Sequence, residues 1–240
     1  MEQIELKLNQ LRLKGMSKSW QAMIQTRQAY QMSFSEGLEI MLQAEEEERK
    51  QNRFERLLKA AKFRYQASLE EIIFNPKREL DKGLVNQLAT CDFVSKGESI
   101  LLTGKTGCGK SFFASALGHQ ACMHGYSVAY YNIQKLMVKI KMSRLEGNNL
   151  KFFDKLAKTA LLIIDDFGLS NLEKQHQFDL MEIIEDRHGK NSTIIASQLS
   201  IDSWYDVIGQ ATIADAILDR LVHSSYIIDI KGDSLRKKRK

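Results

Sequence analysis

Gly104-Lys105-Thr106-Gly107-Cys108-Gly109-Lys110-Ser111 is the stretch on which the fold turns. It satisfies G-x-x-x-x-G-K-[ST], and at ordinary glycine usage a chance match in a chain of 240 residues has odds on the order of one in a hundred. The apolar run Ile100-Leu101-Leu102 precedes it, and Phe112-Phe113-Ala114-Ser115-Ala116-Leu117 follows as a helix start. Glycines let the backbone approach a triphosphate and point successive N–H groups inward. The following helix adds the positive end of its dipole. In this cradle Lys110 reaches the β- and γ-phosphates and the Ser111 hydroxyl binds Mg²⁺. Gly104, Lys105, Thr106, Gly107, Cys108, Gly109 and Phe112 complete the expected nucleotide contacts. Cys108 fills a variable position and carries no redox role.

Working outward, Ala160-Leu161-Leu162-Ile163-Ile164 runs into Asp165-Asp166. Ligands of open α/β sheets bind at such strand ends. Two adjacent carboxylates repel, and a divalent cation offsets that cost. Asp165 is therefore expected to hold Mg²⁺, and Asp166 to polarise the water attacking the γ-phosphate. Ser192–Gln198 reads as a further strand with a polar end, from which Ser197 or Gln198 can meet the phosphate or that water. Asp219-Arg220 closes a helix bearing Ala214, Ile217 and Leu218. Arg220 is either a salt-bridged surface residue or an arginine finger supplied to a neighbour's nucleotide.

Five continuous apolar runs, Ser99–Thr103, Ser127–Tyr131, Ala160–Ile164, Thr193–Ala196 and Tyr226–Ile230, alternate with helical stretches, as a doubly wound parallel α/β sheet requires. Before the single proline, Pro76, the pattern is helical throughout. Ile4, Leu8 and Leu11 share one stripe, as do Trp20, Met23 and Ile24. Ser33-Phe34-Ser35-Glu36 is a capping box for a long helix with Leu38, Met41 and Leu42 facing a core. Glu45→Arg49 and Glu46→Lys50 are favourable i,i+4 pairs on a solvated face. Arg49 to Arg64 reads either as part of that face or as a basic patch for phosphate or a neighbouring subunit. The expected organisation is a helical interaction or DNA-binding domain at 1–75 and a nucleotide domain at 76–240. The net charge of +5 equals the charge of the last five residues, Arg236 to Lys240, a tail suited to phosphate backbones. The three cysteines lack metal-ligand spacing. The acidic start and the absence of a long apolar run argue against export and a membrane span, so a cytoplasmic place is expected.

The order of phosphate loop, Asp-Asp strand, polar strand end and Leu-Asp-Arg resembles the AAA+ ATPases. Within them the chain is most similar to the IstB-like transposition helper ATPases of insertion sequences, relatives of the DnaC helicase loaders. The resembling stretches are Leu6–Met16, Met41–Lys62, Gly104–Ser111, Leu161–Leu169, Ile194–Trp204 and Ala216–Arg236. The resemblance implies a P-loop NTPase core, ATP and Mg²⁺ as cofactors, and ATP-controlled homo-oligomerisation on double-stranded DNA. It also implies target selection and recruitment of a transposase. It carries a sensor onto Ser197, the trans arginine onto Arg220 and a second nucleotide-facing arginine onto Arg236. It places nucleic acid near the helix bearing Lys135, Lys139, Lys141 and Arg144. Two departures stand out. AAA+ proteins mostly have Glu where Asp166 stands, and the shorter side chain implies slow hydrolysis unless DNA or a partner reshapes the site. Only 20 residues follow Arg220, too few for the helical lid of many relatives. The alternative is a helicase loader that binds a replicative helicase through residues 1–75. The Asp-Asp strand argues against a small-molecule kinase, and a GTPase would carry an Asn-Lys-x-Asp motif.

Overall fold

The apolar runs form one five-stranded sheet: β1 (Ser99–Thr103), β2 (Val128–Asn132), β3 (Leu161–Phe167), β4 (Ser192–Ser197) and β5 (Ser225–Asp229). Their order is β2-β3-β4-β1-β5 and every neighbouring pair is parallel. The computed structural model describes residues 2–28 and 31–235. Arg236 and the rest of the basic tail lie outside those residues.

Parallel strands need crossovers, and helices supply them. The helices of this region are α4 (Lys82–Ala89), α5 (Asp92–Lys96), α6 (Lys110–Met123), α7 (Ile133–Leu145), α8 (Asn149–Lys158), α9 (Lys174–Arg187), α10 (Trp204–Ile208) and α11 (Ala211–Val222). Leu101, Leu162, Ile164 and Ile195 point to one face, into a cluster with Leu136, Ile140, Leu180, Trp204 and Ile217 from α7, α9, α10 and α11. On the opposite face α6 covers the sheet. With helices on both faces, the inner strands are buried along nearly their whole length, which is why they read as unbroken apolar runs.

Among the described residues three α-helices precede α4: α1 (Glu2–Gln10), α2 (Lys14–Gln25) and α3 (Phe34–Ala61). The chain forms two compact units, 1–56 and 57–240, so the boundary falls at 56/57 and not at 75/76. The segment after α3 belongs to the second unit because its apolar groups are buried there. Phe63 meets Tyr130 edge-on at 6.3 Å between ring centres, and Ala67 and Ile72 are buried.

In the first unit Leu8, Met16, Met23 and Met41 form a small core, with Leu13, Trp20 and Met32 against it. Leu38 and Leu42 were expected to face a core and are exposed instead, and Ile4 and Leu11 of the first stripe are exposed as well. A core of this size covers a narrow strip of each helix. The capping box is present: Ser33 N–H donates to Glu36 Oε2 at 2.7 Å, and Glu36 N–H donates to Ser33 Oγ at 3.3 Å. Glu45 is not on a solvated face. It pairs with Arg49 at 2.7 Å and accepts the N–H groups of Gly15 at 2.8 Å and Met16 at 3.3 Å, capping α2 from a distance. Gly15 permits this approach, since a Cβ there would lie 2.3 Å from the Ala44 carbonyl oxygen. Among the described residues no helix is long and apolar enough to cross a membrane.

Candidate nucleotide site

All five strands deliver their C-terminal ends to one region. The phosphate loop leaves β1, Asn132 ends β2, the two aspartates sit in the last turns of β3, Gln198 follows β4, and residues 231–235 follow β5. Between them lies a cavity of about 410 Å³. Its polar side holds Thr106, Lys110, Ser111, Asp165, Asp166 and Gln198, and its apolar side Tyr65, Ile72, Ile73, Leu80, Phe112 and Leu235.

Gly104 has φ +138, and a Cβ there would lie 2.2 Å from the Ile230 carbonyl oxygen, so the loop requires glycine at this turn. Lys110 Nζ donates to the carbonyls of Gly104 at 2.6 Å and Lys105 at 2.9 Å. Arg78 also lines the cavity and supports the loop. It is buried, and it donates to the carbonyls of Ile73 at 2.9 Å and of Cys108. Burial pulls its guanidinium below the ordinary arginine range.

The carboxylates are held by several elements. The β3–β4 register shifts between Ile164 and Phe167, and Asp166 adopts φ 58 within that irregularity. This conformation turns consecutive carboxylates toward the same region, whereas successive side chains of a regular strand alternate faces. Ser111 Oγ donates to Asp165 Oδ1 at 2.9 Å, as does the Asp166 N–H at 2.9 Å. The Tyr130 hydroxyl donates to Asp165 Oδ2. Burial first, and then the Asp165 charge, push the Tyr130 phenol far up, so it stays protonated and a donor. Asn132 donates to Asp166 Oδ2 at 2.8 Å. Arg64 Nη1 donates to Asp166 Oδ2 at 2.9 Å and approaches Asp165 Oδ2 at 3.4 Å. The Ser111 hydroxyl and Asp165 are hard oxygen donors of the kind that share a divalent cation with phosphate oxygens. Among the described residues no group of three His, Cys, Asp or Glu stands together as a metal site.

The predicted residues divide into those the cavity gathers and those it does not. Thr106, Gly107, Gly109, Lys110, Ser111, Phe112, Asp165, Asp166 and Gln198 line it. Gly104, Lys105 and Cys108 stand in the loop without lining it. Cys108 is buried, with its sulfur 3.7 Å from Lys110 Nζ. Ser197 faces away: its hydroxyl donates to Phe167 O at 2.8 Å and accepts from Leu199 N–H at 3.1 Å. Arg220 lies outside the cavity and pairs with Glu185 at 2.5 Å. Arg144 is not a free basic group. It forms a two-pronged pair with the buried Asp179. Lys135, Lys139 and Lys141 are exposed on α7, and Lys139 lies over the rings of Tyr131 at 5.4 Å and Phe152 at 5.3 Å. Arg236 lies outside the described residues.

Tyr65, Arg78, Tyr130 and Asn132 were not singled out from the sequence. Asn132 alone carried a signal, as a polar residue ending a strand and capping α7 through Gln134 N–H at 3.0 Å. Arg64 reads from the sequence as part of a solvated face or of a basic patch, and its partners in the structure are the two carboxylates.

Comparison with known proteins agrees with this geometry. The family described as IstB-like ATP binding protein matches residues 6–240. An insertion sequence ATP-binding protein of Sinorhizobium fredii is 39% identical over 96% of this chain and 94% of its own length. The ATP-binding protein of insertion sequence IS1162 from Pseudomonas fluorescens is 41% identical over 80% of this chain and 84% of its own. Among solved structures, the DnaC helicase loader superposes with a TM-score of 0.58 at 20% identity, over 70% of this chain and 98% of that one. AMPPCP-bound DnaA from Aquifex aeolicus gives 0.62 at 20% identity, over 74% of this chain and 54% of that one. These two likenesses concern the fold, a P-loop AAA+ core, while the sequence relatives and the family match settle membership: this chain belongs to the IstB-like ATP-binding proteins of insertion sequences.

Proposed function

We propose that this protein is an ATP-dependent transposition helper that assembles on duplex DNA, selects target DNA and recruits a transposase. The observation that carries the reading is the convergence of Lys110, Ser111, Asp165, Asp166 and Gln198 on one cavity beside an apolar wall. The wall, with Tyr65 and Phe112 rings 6.4 Å apart, suits a purine base. Lys110, now on loop carbonyls, turns to the β- and γ-phosphates. Ser111 and Asp165 would hold Mg²⁺, which when bound would supply neutralisation of the charge developing on the γ-phosphoryl group. Asp166 orients the attacking water, and Gln198, hydrogen-bonded to Thr106, supplies the polar contact at the end of β4. Hydrolysis is slow because Asp166 is short and held by Asn132. Arg220 acts on the nucleotide of a neighbouring copy. Lys135, Lys139 and Lys141, with the basic tail, contact DNA phosphates without reading bases.

Assembly on duplex DNA, followed by electron microscopy and sedimentation, tests this. Wild-type protein is expected to assemble with ATP and not without it, and Lys110→Ala is expected to abolish assembly. Assembly that ignores nucleotide, or survives Lys110→Ala, overturns the reading. Affinity capture that retrieves a replicative helicase and no transposase favours a helicase loader instead.

A further inference from the structure

Asp165 and Asp166 are adjacent carboxylates, and the Asp165 side chain is 1% exposed. Every lone-pair direction of Asp165 is used. Oδ1 accepts from Ser111 and the Asp166 N–H, and Oδ2 from Tyr130 and Arg64. A cation that binds Asp165 must displace one of these partners. Arg64 is the longest of them, at 3.4 Å, and the most exposed, with 41% of its side chain open. It uses a single nitrogen, Nη1, for both carboxylates and not a two-pronged grip.

The residues on either side are anchored. Phe63 packs on Tyr130, and Tyr65 lies near Phe112 and lines the cavity. The Arg64 backbone is therefore held while its side chain can swing. The guanidinium carbon already lies 5.5 Å from the Tyr65 ring, a contact that can keep hold of the charge when the carboxylates are lost.

We propose that Arg64 is a positioning residue: its guanidinium balances the Asp165–Asp166 pair in the metal-free site and has to leave when a divalent cation binds with the nucleotide. This rests on reading the cavity as a nucleotide–metal site. Arg64 thereby raises the cation concentration at which the site loads. With the cation present, a guanidinium beside the same carboxylates is repelled by it, so the two occupy the site alternately.

The test is Mn²⁺ binding by ADP-saturated protein, read by electron paramagnetic resonance. Arg64→Gln is expected to bind Mn²⁺ about tenfold more tightly than wild type, the effect of one nearby like charge on a carboxylate site. Arg64→Lys, which keeps the charge, is expected to stay near wild type. Equal or weaker Mn²⁺ binding by Arg64→Gln overturns the proposal and makes Arg64 a support of the loaded site. A second measurement needs no variant: phenylglyoxal labelling of Arg64 in wild-type protein, located by mass spectrometry, should accelerate with ADP and Mn²⁺ but not with ADP in chelator. Unchanged labelling also overturns it. If calorimetry finds no ADP binding to wild type or variant, the nucleotide reading itself fails, a result distinct from intact ADP binding with unaltered metal affinity.

Discussion

Ser197 commits its one hydroxyl proton to Phe167 O, while its neighbour Gln198 faces the cavity. Ser197 is the last residue of β4 and Gln198 the first beyond it, so one side chain is taken into the fold and the other reaches the cavity. The two substitutions should therefore have opposite signatures. Ser197→Ala is expected to lower unfolding stability by about 1–3 kcal/mol, the cost of leaving buried polar groups unpartnered, with ATP affinity within about twofold. Gln198→Ala should leave stability within about 0.5 kcal/mol, as a surface change does, and slow hydrolysis. Urea melts and calorimetry on both variants check this. From the sequence, either residue at this strand end was a candidate, since composition alone does not state which face a polar end presents.

Among the elements, α2 shows how a helix end is completed from far along the chain. Its own N-cap, Leu13, has no side chain to offer, and Glu45 of α3 supplies the acceptor. Burial works against the Glu45 charge most. The hydrogen bonds from Arg49, Met16 and Gly15 together outweigh it and hold the carboxyl below its ordinary value of 4.5. A group whose folded pKa is depressed stabilises the fold above its unfolded pKa and loses that contribution as pH falls through the folded value. Hydrogen exchange of α2 amides in the full chain should therefore quicken as pH drops below about 4.5, relative to the intrinsic rate. Glu45→Gln should flatten this dependence and weaken α2 protection at neutral pH by about 1–2 kcal/mol. An unchanged pH profile in the variant would remove Glu45 from this role. Sequence spacing revealed the Glu45–Arg49 pair but not the contact with residues 15 and 16, which lies about thirty positions away.

For the whole molecule, the position of Arg220 matters most. It lies outside its own cavity and pairs with Glu185, so the proposed partner is the nucleotide of another copy. Mixing Arg220→Ala subunits with Lys110→Ala subunits is expected to restore part of the hydrolysis that each lacks alone, since one interface in the mixture joins an intact loop to an intact arginine. No recovery at any ratio, measured by phosphate release, would leave Arg220 a structural partner of Glu185. Arg144 gives the opposite lesson. Its charge looked available beside three lysines, and Asp179 consumes it inside the fold.

The elements and the phosphate cradle were readable along the chain because both rest on local rules. Buried parallel strands must be apolar throughout, and a loop that wraps phosphate must have glycine where side chains collide. The glycine-rich loop pattern and the polar end of the apolar run at 160–164 likewise marked Lys110, Ser111, Asp165 and Asp166 as candidates. Tertiary structure alone decided where charge is spent: Arg64 on the two aspartates, Arg144 on Asp179, Glu45 on the start of α2. It also decided that residues 57–75 join the nucleotide unit. These outcomes depend on distances between residues far apart in sequence, and a charged side chain carries no local mark of the partner that folding will bring to it.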